Sequence, residues 1–89
     1  MLVLKRKCGQ GIEFEDGRGN KHYLVYLYRD KQKAVYRIDG EEVTKDWEEP
    51  FFIGEIRVFP IKQINEHCLQ LGFKASRDWQ IRRKEICLS

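Results

Sequence analysis

The chain has 89 residues, 42% hydrophobic and 12% aromatic, with 17 basic and 14 acidic side chains and a formal net charge of +3. That length makes one small domain, and that composition makes it globular rather than disordered. Two histidines and three far-separated cysteines (Cys8, Cys68 and Cys87) form no C-x-x-C pattern and no ligand cluster, which argues against a zinc site and against a disulfide framework.

Free thiols fit a reducing cytoplasm, where we expect the protein to reside. Only four apolar residues precede Lys5-Arg6-Lys7, so no secretory leader is expected, and no apolar run approaches the ~20 residues of a membrane span. A chain this short buries only ~60–65% of its unfolded surface, so its core is thin and oligomerisation is one way to complete it. Charge is unevenly spread. Residues 1–10 carry +3, residues 11–50 carry seven cations and ten acids (−3), and residues 51–89 carry seven cations and four acids (+3). Basic ends suit a polyanion such as nucleic acid; an acidic middle does not.

Residues 1–9 run from apolar to basic and stop at Gly9. As a strand they put Leu2, Leu4 and Arg6 on one face, and Val3, Lys5 and Lys7 on the other. Residues 11–16 alternate apolar and acidic, as a half-buried strand does. Gly17-Arg18-Gly19-Asn20 is a turn cluster, and residues 22–28 are the strongest β signal, aromatic and β-branched. A charged turn at 29–33 leads to an alternating strand at 34–38, closed by Asp39-Gly40. Residues 41–50 are acidic and end at Pro50; we assign them to a loop or strand, with a short helix as the alternative.

Phe51-Phe52-Ile53 is a short apolar strand ending at Gly54. Residues 56–61 follow as a strand in which Pro60 argues for an edge or a bulge. Residues 65–67 make a turn, residues 68–73 return as the hairpin partner, and residues 74–78 form a loop. The last segment puts Trp79, Ile81 and Arg83 on one face, and Gln80, Arg82 and Lys84 on the other. It mirrors the first, with apolar residues leading into three consecutive cations. The expected architecture is all-β, with seven or eight short strands and no visible internal repeat.

Both ends then resemble one family. Met1-Leu2-Val3-Leu4-x-Arg6-Lys7-x-Gly9 is similar to the opening strand of the carbon storage regulator family (CsrA/RsmA), bacterial mRNA-binding translational regulators. Ile53-Gly54, then Leu69-Gln70-Leu71-Gly72-Phe73-x-Ala75, then Ile81-x-Arg83-x-Glu85-Ile86 follow in the family's order and near its spacing. The resemblance covers residues 1–10 and 51–86 of a single domain spanning 1–89. An insert of about forty residues, 11–50, separates the two parts. Either residues 11–14 or residues 51–53 supply the family's second strand. Ser76 stands where the family usually has proline after Ala75.

The resemblance implies a small intertwined, strand-swapped homodimeric β-sandwich or barrel, with the insert added as a hairpin or meander. It implies RNA held where the first strand of one subunit meets the last strand of the other. The ligand would be a GGA-containing hairpin loop in an mRNA leader, with small regulatory RNA as a second ligand, and binding would repress translation or alter mRNA stability. Leu4, Arg6, Ile81, Arg83 and Ile86 match RNA-contacting positions. Lys5, Lys7, Arg82 and Lys84 are either phosphate contacts or solvated cations. Arg83 and Arg6 suit the O6 and N7 acceptors of guanine. Trp79 is a candidate stacking platform, though anchoring its loop in the core is the commoner role for such a residue.

We expect no enzyme, no cofactor, no membrane association and no DNA ligand. There is no phosphate-binding glycine loop and no evident Ser–His–Asp set, and Glu41-Glu42 and Glu48-Glu49 read as solvated loop acids. The insert holds all four tyrosines. Its bland role is to enlarge the core of the dimer; its sharper one is a second surface for a protein partner, or an acidic flap near the basic edge. The rival function is a family-like interaction or decoy subunit with weakened RNA binding.

Overall fold

The computed structural model describes residues 2–65 and 67–85. These form β1 (Leu2–Lys7), β2 (Gln10–Glu15), β3 (Lys21–Asp30), β4 (Lys33–Ile38), β5 (Glu41–Asp46), β6 (Phe51–Ile53), β7 (Ile56–Asn65), β8 (Cys68–Lys74) and β9 (Gln80–Glu85). No helix long and apolar enough to cross a membrane occurs among the described residues. The fold is all-β, as the alternation indicates, with residues 41–46 resolved as a strand rather than a loop or helix. Asp39 (φ 51°) and Gly40 (φ 88°) both take the left-handed conformation of a tight hairpin turn, and this couples β4 to β5.

Two antiparallel sheets face one another. One runs β1-β8-β7-β6 and the other β5-β4-β3-β2-β9. The core between them draws on both, with Phe14, Leu24, Tyr26 and Tyr36 on one side and Ile56, Val58, Leu71 and Phe73 on the other, each at most 1% exposed. The rings of Phe14 and Phe73 lie 5.5 Å apart, and those of Tyr36 and Phe51 lie 5.0 Å apart, so aromatic contacts tie the sheets together. The radius of gyration, 12.2 Å, is that of a compact chain of this length. Residues 11–50 therefore supply nearly all of four of the five strands of one sheet and close to half of the core.

The two halves have parallel designs. The meander β2-β3-β4 and the meander β6-β7-β8 each have a ten-residue middle strand. Each is also irregular against its third strand, with a register shift between Tyr26 and Tyr28 in one and with two shifts, between Pro60 and Lys62 and between Gln63 and Asn65, in the other. The strand that precedes each meander crosses to the other: β1 lies on β8, and β5 lies on β4. Pro60 sits beyond the last β6 pair (Phe51 with Val58), so its missing N–H costs that ladder nothing. The repeat is one of architecture, which is why no repeat is evident in the residues.

Candidate nucleic-acid interface

β1 and β9 are edge strands of different sheets on the same side of the sandwich. β1 bonds only β8, and β9 bonds only β2, among the described residues. A turn through Cys8 and Gly9 (φ 87°) carries β1 into β2, which places β1 along the β2–β9 end of the facing sheet. Leu2 and Ile81 line one cleft of about 180 Å³ with Phe73, Lys74, Ala75, Ser76 and Trp79, so the two edges meet across a shared seam. The first and last strands, distant in sequence, are thus brought together within one chain.

The faces follow the expected alternation, but burial divides the expected contacts. Leu4 (6% exposed) and Arg6 (5%) point into the sandwich. Arg6 donates through Nε to the Lys5 carbonyl at 2.7 Å and through Nη1 to the Gly11 carbonyl at 3.3 Å. Its guanidinium is used to order the turn between β1 and β2. Lys5 and Lys7 are exposed on the opposite face of β1.

On β9, Ile81 pairs with Phe14 and packs on the core, and Arg83 pairs with Ile12 but remains exposed. Arg83 takes part in no ion pair among the described residues. Arg82 differs. It lies opposite Glu13 and meets Glu15 at 2.9 Å and Glu13 at 3.7 Å, while Lys84 meets Glu13 at 3.6 Å. Burial pushes the Glu13 carboxyl up. Lys84, a hydrogen bond from the Tyr23 hydroxyl (3.2 Å), Lys21 and Arg82 outweigh that and hold it below its ordinary 4.5. Arg82 and Lys84 therefore neutralise acids of β2. Ile86 and the Glu85 side chain lie outside the described residues.

Ser76 and Trp79 close the loop between β8 and β9, with the Trp79 N–H donating to the Ser76 carbonyl at 3.2 Å. Trp79 is half-buried, packs on the core and sits 5.6 Å, ring to ring, from His22. Its role as an anchor is plain in the structure. His22 Nδ1 meets Asp39 Oδ2 at 2.7 Å, and Asp39 Oδ1 accepts from the Tyr23 N–H at 2.8 Å. His22, but not Asp39, borders a cleft of about 610 Å³ with Ser76 and Trp79, a grouping hidden in the sequence because its members are far apart in the chain. The remaining imidazole nitrogen, Nε2, lies against the backbone of Gly54, where an added Cβ would stand 3.0 Å away. Turned there, it packs the β6–β7 turn onto β3; its bond to Asp39 secures the β4–β5 turn.

Among the described residues no group of three or more His, Cys, Asp and Glu side chains is arranged to hold a metal ion. Comparison of the chain with protein-family models, with curated proteins and with solved structures found no match.

Proposed function

We propose that this protein is an RNA-binding post-transcriptional regulator that holds a GGA-containing hairpin loop along the β1–β9 seam. The observation that carries the reading is the meeting of two open strand edges beside an exposed Arg83. A strand edge offers free N–H and C=O groups that can read unstacked bases, and Arg83 supplies a fork for guanine O6 and N7. Lys5 and Lys7, outward on β1, meet phosphates. Leu4 and Arg6 contribute from beneath, by shaping the edge and the turn that follows it. The resemblance to carbon storage regulators supports the same site and implies mRNA leaders and small regulatory RNAs as ligands in the cytoplasm.

The homodimer implied by that resemblance would form by exchange of β1 between chains, with the register it has here on β8, so that β1 of one chain meets β9 of the other. Light scattering on the purified protein reads its mass directly. One observation favours the rival reading, an interaction subunit with weak RNA binding: Arg6 is buried, and Arg82 is held by Glu13 and Glu15. Arg83→Ala separates the two. On the RNA-binding reading it weakens binding to a GGA hairpin by ~1–3 kcal/mol, as for loss of a bidentate base contact, with little change for a scrambled loop. Equal affinities of wild type and variant for the GGA hairpin would remove Arg83 from the site and favour the rival.

A further inference from the structure

The outer face of the four-stranded sheet, turned away from the core, is basic and aromatic. Its side chains can be placed from the strand registers. Phe52, Arg57 and Lys74 form one row across β6, β7 and β8. Phe59, Gly72 and Val3 form the next, across β7, β8 and β1. Lys62, Gln70 and Lys5 form a third, and Lys7 ends β1 beyond them. Five cations stand on this face and no acid stands in these rows. None of the five takes part in an ion pair among the described residues.

The other sheet makes the contrast. There Arg82, Lys84 and Lys21 lie within 4 Å of Glu13 or Glu15, and Lys33 meets Asp46 at 2.6 Å. One outer face is self-neutralised; the other keeps its positive charge for a partner. A partner matched to unpaired cations is a polyanion.

The apolar members narrow the choice. Phe52 is 67% exposed, far more than a buried-core residue would be. The Arg57 guanidinium lies 4.6 Å over the Phe59 ring, presenting a flat cationic surface. Aromatic rings and guanidinium planes on a four-stranded sheet are stacking platforms for unpaired bases. Phe52 and Phe59 are diagonal neighbours, about 7–8 Å apart on a sheet. Bases stacked in a duplex are about 3.4 Å apart, so only a strand with splayed bases can use both platforms.

We infer that this face binds single-stranded RNA, stacking bases on Phe52 and on the Arg57–Phe59 pair while Lys62, Lys74 and Lys5 hold the phosphates. The inference rests on the RNA-binding reading above and extends it to the unpaired segment beside the hairpin. The three rows together with Lys7 span about 20 Å, which suits roughly three splayed nucleotides.

The test uses a labelled twelve-nucleotide oligouridine, which lacks GGA and forms no hairpin, with fluorescence anisotropy at several salt concentrations. Phe52→Ala should weaken its binding about fivefold or more. Lys62→Gln with Lys74→Gln should lower the slope of log affinity against log salt by about 1.4. Both sites are exposed, so thermal melts should match wild type, and the ratio of GGA to scrambled-hairpin affinity should hold. Arg83→Ala should do the reverse, sparing oligouridine and lowering that ratio. Absence of oligouridine binding in the wild type, or affinity and slope unchanged in both variants, would overturn the inference. So would a Phe52→Ala change seen only as a smaller mass in light scattering, which would mark the face as a contact between copies. Oligouridine binding that depends on Phe52 without any preference for GGA would sustain this face and sink the hairpin reading instead.

Discussion

Glu13 shows how local charge decides which cations are available. It is 7% exposed, yet it stays ionised because Lys84, Tyr23, Lys21 and Arg82 surround it. Its folded pKa lies below the unfolded value of about 4.5, so its contribution to stability is complete above that pH and is lost as pH falls through the folded value. Acid titration of the melting temperature should therefore show a drop below about pH 4.5 that is shallower in Glu13→Gln. Parallel curves would remove Glu13 from the acid transition. Period-two alternation was legible residue by residue: Leu4 with Arg6, Lys5 with Lys7, Ile81 with Arg83. What it could not convey is which face meets the core, since a basic residue such as Arg6 reads as solvent-facing until a carbonyl such as that of Gly11 is brought to it.

At the scale of elements, the strands at 2–7, 10–15, 33–38, 51–53 and 68–74 lie close to where composition puts them, and the turn at Asp39-Gly40 is carried by the two residues that tolerate positive φ. The segment at 41–46 was harder because its side chains are mostly exposed and acidic, and its strand state comes from pairing with β4. Residues 11–50, expected from the resemblance to be an insert, change meaning most. Joining Gln10 to Phe51 deletes β2 through β5, and with them Ile12, Phe14, Leu24, Tyr26 and Tyr36 from the core. It also strips β9 of its ladder. We expect that variant to lose cooperative thermal unfolding altogether. A monomer that still melts cooperatively would contradict the place given to the insert.

For the molecule as a whole, the closure of both sheets within one chain brings β1 and β9 to a common seam. Sequence could indicate that the two basic ends belong together, through the resemblance, but not the long-range pairings of β1 with β8 and β9 with β2 that set them side by side. The charge division is likewise a property of the assembled sandwich. Glu13 and Glu15 neutralise Arg82 and Lys84, and the opposite outer face keeps its cations. The measurement that bears most directly on RNA binding at the seam is the dissociation constant of the wild-type protein for a labelled GGA hairpin, set against a hairpin of the same stem with a scrambled loop at moderate salt. Binding should be about tenfold or more tighter for GGA, as a bidentate guanine contact supplies. Equal constants for the two hairpins would contradict RNA binding at the seam.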